Sequence, residues 1–384
     1  MNDNRAPAPR LHGVTGTSAS TPWDVAVIIP ARNEARRIQP CLQALADAID
    51  RSPVTAGVIL CVNDTQDDTA GRGTAILQMR GVSHLVLDME FPAGSGGVGR
   101  TRDLGCKLSQ RIAGQPSVIM TTDADSRVAP DWIIANLKAL EAADIVFGAI
   151  IPDPEELSLL RPQLACHDTI EEDYARAAVR LVSALDPVPH DPDPRHLRAA
   201  GASIALTARA LQQLGGIPWC RLSEDRALAA RAEAMDLRIR HASEPQVITS
   251  CRLNGRAEGG MASTLRERCT EADPYCDAWL EPAEDMITRY EAKGRLRAVW
   301  PSVAKSWTVV QRVLGAGPVP NPNKYDCFGA FWQSLEATHP ALARRRLRHS
   351  EAARDLPVLL AHLDLIHPRW ATPMPDLERV IHAP

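Results

Sequence analysis

Four short apolar runs, at 25–29, 58–62, 84–87 and 117–122, alternate with stretches whose apolar residues fall at helical spacing. Ile38, Leu42, Leu45 and Ile49 share one helical face after the first run, and Ala75, Ile76 and Met79 follow the second. Leu104 and Leu108 precede the fourth. Strands that are apolar throughout, joined by short helical connections, are buried on both faces, so the pattern predicts an α/β fold with a mostly parallel sheet flanked by helices. Ligands bind such sheets beyond the carboxyl ends of the strands. Three of those ends carry polar loops, at Pro30–Glu34, Asn63–Asp68 and Asp123–Ser126, and one pocket can collect all three.

The loop after the fourth run carries the sharpest chemistry. Asp123 and Asp125 alternate at a strand end and can lean toward one pocket. Two carboxylates that close resist burial unless a cation relieves them, and hard ions such as Mg2+ or Mn2+ prefer such oxygen ligands beside a diphosphate. An acidic surface turn is the plainer alternative. Residues 129–132 then read as a helix start, with Pro130 in its first turn.

The chain has 384 residues, enough for a large domain with an appendage. A net charge of −4 gives no electrostatic case for nucleic acid, and 45% apolar with 23% charged residues fits a globular core. No window approaches the apolar length of a membrane span. Residues 1–22 lack an apolar core and read as a disordered leader. Nine cysteines without a C-x-x-C pair predict reduced, buried thiols in a cytoplasmic setting and argue against a zinc site.

Further along, the helical run from Leu164 to Leu185 carries Asp168, Glu171, Glu172 and Asp173, which read as a solvated face. The proline-rich stretch 186–194 suggests a cover or acceptor-side wall, with His190 and Asp191 as candidate contacts. Glu224 and Asp225 follow Ser223, a natural helix cap, so a helix start accounts for them as well as a catalytic role does. Residues 250–261 mix glycine with arginine and suggest a mobile lid. From about residue 266 to 384 the pattern turns helical, with Trp279, Trp300, Trp307 and Trp332, suggesting an appendage that packs on the core or joins a homo-oligomer. Arg344–Arg348 reads as a solvated cationic patch.

Several motifs in order resemble the family 2 glycosyltransferases of the GT-A fold. They are Val27-Ile-Ile-Pro-Ala-Arg-Asn-Glu34, Val62-Asn-Asp-Thr-Gln-Asp-Asp-Thr69, Gly97-x-x-Arg100-x-Arg102-Asp103-x-Gly105 and Asp123-Ala124-Asp125. Gly201-Ala202-Ser203, Gly215-Gly216 and Glu224-Asp225 fall where that family places its acceptor side. The resemblance covers roughly 24–255 and implies a Rossmann-like transferase domain at 23–265, with 266–384 as the helical region. It implies that Pro30, Ala31, Arg32, Glu34 and Ala124 line the donor nucleotide and that Asn63 or Asp64 meets the base. Asn63 stands where the pattern more often has an acid, which leaves the base open. Asp123 would reach the ribose or the metal, Asp125 the metal, and His241 would be either a third ligand, as in some relatives, or a structural imidazole. Asp225, paired with Glu224, would be the general base. Arg100 and Arg102 could fork onto the diphosphate or lie solvated on a helix.

Displacing a nucleoside diphosphate from an anomeric carbon suits these residue types, because it needs cation support for the leaving oxyanion and a carboxylate to take the hydroxyl proton. Single displacement by such a base inverts the anomeric centre. The expected partners are a nucleotide-diphosphate sugar and a discrete soluble or lipid-linked hydroxyl acceptor, since the Q-x-x-R-W motif of processive synthases is missing. A non-catalytic sugar-nucleotide-binding relative is the competing class. Gly94-Ser-Gly-Gly-Val-Gly99 is a literal G-x-G-x-x-G, but Pro92 and two earlier βα units separate it from a dinucleotide fingerprint. A nucleotidyltransferase would want a glycine-rich loop after the first strand, and Pro30–Glu34 has no glycine.

Overall fold

The computed structural model describes residues 7–17, 22–112, 114–164, 168–220, 223–255 and 260–366. Two compact units result, Met1–Pro162 with Pro194–Cys269, and Gln163–Asp193 with Thr270–Pro384. The strands are β1 Arg10–Gly16, β2 Val25–Ala31, β3 Ala56–Asn63, β4 His84–Glu90, β5 Val118–Thr121, β6 Ser126–Val128, β7 Ile145–Pro152, β8 Ile204–Thr207 and β9 Ile239–Thr249. The helices are α1 Ile38–Arg51, α2 Thr69–Met79, α3 Val98–Ile112, α4 Trp132–Leu140, α5 Pro154–Leu164, α6 Asp168–Leu185, α7 Ala208–Leu214, α8 Glu224–Ala234, α9 Met261–Thr270, α10 Ala283–Val299, α11 Val303–Val313, α12 Phe328–Thr338 and α13 His349–Ile366.

The first unit is one nine-stranded sheet in the order β1-β4-β3-β2-β5-β8-β7-β9-β6. Its core β4-β3-β2-β5 is parallel, as the four apolar runs predict. Strand alternation splits the burial in two. Val25, Val27 and Ile29 pack with Leu42 and Leu45 on one face, while Ala26 and Ile28 join Cys61, Cys106 and Ile119 on the other. Gly105 on α3 allows the close approach, because a Cβ there would collide with the Ile28 side chain and come within 3.0 Å of the Cys61 sulfur. Beyond β5 the sheet departs from the parallel expectation. β8 runs antiparallel to both β5 and β7, and β6 pairs antiparallel with β9. These strands are short or reached through long excursions, so local periodicity does not announce them.

Residues 10–16, placed by sequence in the leader, form β1 antiparallel to β4. All seven are exposed, so backbone pairing holds this strand without an apolar signature. Residues 1–6 and 18–21 of that expected leader lie outside the described residues.

The second unit takes in α6 as well as the C-terminal helices, rather than starting near 266. Tyr174, Ala177, Ala178, Leu181 and Val182 are buried along α6, which packs against α10 and α13. Glu171, expected on a wet face, is only 3% exposed. The acidic run straddles the helix, and its inward member could not be told from its outward ones by composition. Leu296, Val310, Phe328, Phe331 and Trp332 form a separate core here. Trp307, by contrast, is 56% exposed. Among the described residues no helix is long and apolar enough to cross a membrane.

Candidate functional site

Parallel strands β2, β3 and β5 end side by side, and their loops are stitched together at once. Asn33 adopts positive φ (54°), and its Oδ1 accepts from the Gln66 N–H at 2.8 Å. The Glu34 N–H donates to Thr69 Oγ1 at 2.8 Å, and the Ala35 N–H to Asp67 Oδ2 at 3.1 Å. Asp64, also at positive φ (48°), takes the Asn63 amide at 3.0 Å and the Phe91 N–H at 2.8 Å. Pro30 and Ala31 close β2, Arg32 points to solvent, Ala124 is buried, and Glu34 and Asn63 are buried beneath the rim.

Two arginines organise the carboxylates around this floor. Arg102, 2% exposed on α3, ion-pairs with both Asp123 and Glu224. It also donates to Thr121 Oγ1 and to the Gly201 carbonyl, each at 3.1 Å. Burial opposes its charge, yet Asp123, Glu224 and Asp225 hold its pKa above the ordinary guanidinium value. Burial likewise pushes Glu224 up, against the pull of Arg102. Sequence left Arg102 between diphosphate ligand and wet helix residue; the structure makes it the buried tie between the acidic strand end and α8.

Arg252 plays the same part on the other side. It donates to Glu34 Oε2 at 2.8 Å and Oε1 at 2.7 Å, and lies 2.9 Å from Asp125 Oδ2. Burial, then Asp123, pushes the Asp125 carboxyl up to about 6 despite Arg252. Arg252 belongs to the stretch read as a lid; residues 256–259 of that lid lie outside the described residues.

Asp225, the expected base, is half-buried at the start of α8, and its Oδ2 accepts the Gly201 N–H at 3.0 Å. Ser223 does not cap the helix through its side chain; it sits at φ 57° instead. What positions this corner is Asp103, 1% exposed on α3. It accepts the Ile217 N–H at 2.9 Å and the Trp219 indole N–H at 2.7 Å, and pairs with Lys107 at 2.7 Å. Asp103 belongs to the Gly97–Gly105 motif, and its place next to Arg102 is the signal in the sequence, since neighbouring helix positions can brace two different segments.

Arg100 and His241 are held by other partners. Arg100 is buried rather than solvated: it donates to the Ser95 carbonyl at 2.6 Å and lies over the Phe91 and Trp219 rings at 4.7 and 5.0 Å. His241 pairs in register with Phe147, which faces Ile204, which faces Thr121. Three strand spacings, roughly 14 Å, therefore separate it from the β5 end. It stacks on Phe147 at 5.8 Å and meets His196 edge-on at 5.7 Å, so it cannot join Asp123 and Asp125 on one ion.

The donor chemistry at Asp123 and Asp125 fits a hard divalent ion. Both offer carboxylate oxygens, and the burial and neighbouring Asp123 charge that raise Asp125 are what a bound cation would offset.

Residues 26–184 match the model of glycosyl transferase family 2. Comparison with curated proteins finds no match. Among solved structures, S. aureus TarS 1-349 in complex with UDP-GlcNAc is 14% identical over 75% of this chain and 72% of its own, with a TM-score of 0.41. The mannosyltransferase PcManGT from Pyrobaculum calidifontis, in complex with GDP-Man and Mn2+, is 15% identical over 96% and 81%, with a TM-score of 0.44. Glucosyl-3-phosphoglycerate synthase from Mycobacterium tuberculosis, with Mn2+, UDP and phosphoglyceric acid, is 15% identical over 66% and 83%, with a TM-score of 0.39. Identities this low carry no information on donor or acceptor. The matched span holds the three strand-end loops, Arg102 and the Asp123–Asp125 pair, so the likeness to that family falls on the strand ends of the first unit.

Proposed function

We propose that this domain transfers a sugar from a nucleoside-diphosphate donor to the hydroxyl of a discrete acceptor, with inversion and with help from Mg2+ or Mn2+. The observation that carries this reading is Arg102, whose single guanidinium grips Asp123 at the strand end and Glu224 beside Asp225. That bond holds the expected phosphate side and the expected base side in one place.

Within the site, the loops at 30–35 and 63–69 form the rim for the nucleoside, with Asn63 and Asp64 at the base. A divalent ion on Asp123 and Asp125 would supply charge neutralisation for the leaving diphosphate. Glu224 is committed to Arg102 and acts as a positioning residue. Asp225 is the group free to take a proton: it accepts it from the acceptor hydroxyl as that oxygen bonds to the anomeric carbon. The bond from that carbon to the diphosphate oxygen breaks, and its electron pair leaves with the diphosphate. The Gly201 N–H at Oδ2 (3.0 Å) and the Arg226 N–H at Oδ1 (2.7 Å) orient the carboxylate, which takes the proton on a lone pair that neither bond uses. All eight cysteines among the described residues are free thiols, which suits a cytoplasmic setting.

The test is nucleoside diphosphate release from a panel of nucleotide sugars with Mn2+ and candidate acceptors. Asp225→Asn should lower kcat by about 10²–10⁴-fold with donor affinity retained. Release that ignores the substitution removes Asp225 from the mechanism. Donor binding without release across the panel favours a binding protein on the same fold.

A further inference from the structure

We propose that Glu171, Cys276 and His349 bind a thiophilic divalent cation of the Zn2+ class inside the second unit. One ligand atom from each lies within 4.8 Å of the other two. The three are 3%, 2% and 4% exposed, in that order, and come from three separate segments: α6, the stretch before α10, and the first residue of α13.

The backbone holds them there. Tyr275 and Arg348 form an isolated antiparallel bridge, with the Cys276 N–H donating to the Leu347 carbonyl at 2.9 Å and the His349 N–H to the Pro274 carbonyl at 3.1 Å. Cys276 and His349 are thus fixed side by side. Glu171 approaches from α6, its Oε1 oriented by the Asp277 N–H at 3.0 Å and its Oε2 lying 2.9 Å from His349 Nε2. Orientation of a ligating carboxylate by a backbone donor is what a metal ligand needs.

The chemistry is that of zinc. Zinc takes thiolate, imidazole and carboxylate ligands at about 2.0–2.3 Å, so neighbouring ligand atoms of a tetrahedron stand roughly 3.3–3.7 Å apart. Glu171 Oε2 and His349 Nε2 stand 2.9 Å apart and no pair in the set exceeds 4.8 Å, so rotamer shifts of about an ångström would close it around one ion. Three protein ligands leave the fourth position to water or another donor. Such an ion differs in class from the one expected at Asp123 and Asp125, where carboxylate oxygens favour Mg2+ or Mn2+. The absence of any C-x-x-C spacing does not bear on it, because 105 residues separate Glu171 from Cys276 and 73 separate Cys276 from His349 (276 − 171 and 349 − 276). The ion would staple α6 to the start of α13.

The test uses the full chain without an affinity tag, stripped with a chelator and titrated with Co2+. The expected result is a near-ultraviolet thiolate-to-cobalt charge-transfer band that saturates at one equivalent and is displaced by Zn2+. Cys276→Ser should abolish the band, while Cys269→Ser should keep it. The carboxylates at Asp123 and Asp125 cannot produce such a band. A wild type without the band, or undiminished intensity in Cys276→Ser, overturns the proposal: a buried imidazole–carboxylate pair beside an ordinary core thiol would give that result. If Cys276→Ser does not fold, His349→Gln decides. It should weaken Co2+ binding at least about tenfold, and unchanged affinity refutes the site.

Discussion

Removing the Arg102 guanidinium by Arg102→Met tests the tie on which the site is built. The side chain is 2% exposed, and its partner Glu224 is 8% exposed, so Glu224 would keep its burial and lose its counter-charge. Asp123 is 35% exposed on its side chain and would recover hydration. The cost therefore falls mainly on Glu224. Breaking one side of a buried ion pair costs about 3–5 kcal/mol, a large part of a typical total of about 5–15 kcal/mol.

The cost should also depend on pH. Burial already raises Glu224, and Arg102 is what restrains it. In the variant the folded state would keep a proton that the unfolded chain has lost, so its stability would fall as pH rises above the ordinary carboxylate range. Urea denaturation of wild type and variant at about pH 5 and about pH 8 should show the larger loss at the higher pH. Adding Glu224→Gln to the variant should recover roughly half of the loss and most of the pH dependence. A penalty under about 1 kcal/mol, or one equal at both pH values, would refute the claim that Arg102 neutralises a buried Glu224.

Gly105→Ala should destabilise the protein by about 1–3 kcal/mol without altering donor specificity, since the new methyl would press on Ile28 and Cys61 beneath the sheet; a denaturation midpoint equal to wild type would contradict the packing. Asp103→Ala removes the acceptor for the Ile217 and Trp219 N–H groups and should cost about 1–3 kcal/mol while lowering kcat more than donor affinity. Isothermal titration should show Mn2+ affinity falling about tenfold per pH unit below about 6, as protons compete for the raised Asp125 carboxyl. Asp125→Asn should flatten that profile, and a flat wild-type profile would exclude Asp125 as a ligand.

The parallel core and its three polar strand ends were legible because both follow from short-range rules. Val25–Ile29 and Val58–Val62 are apolar at every position, which only a strand buried on both faces requires, and chain ends of such strands face one rim. Asp123, Asp125 and Asp225 could be singled out by residue type and order, and the structure puts the first two just after β5 and the third at the start of α8. β1 was not legible, because an edge strand held by backbone pairing needs no apolar pattern. Nor was the inward turn of Glu171. The jobs of Arg100, Arg102, Arg252 and His241 were settled by distance between segments remote in sequence. Arg102 meets Glu224 and Arg252 meets Glu34 only once the sheet has formed, and His241 is kept away by three strand widths. Residue type fixes what a side chain can do; its neighbours, and the water they exclude, decide which of those things it does.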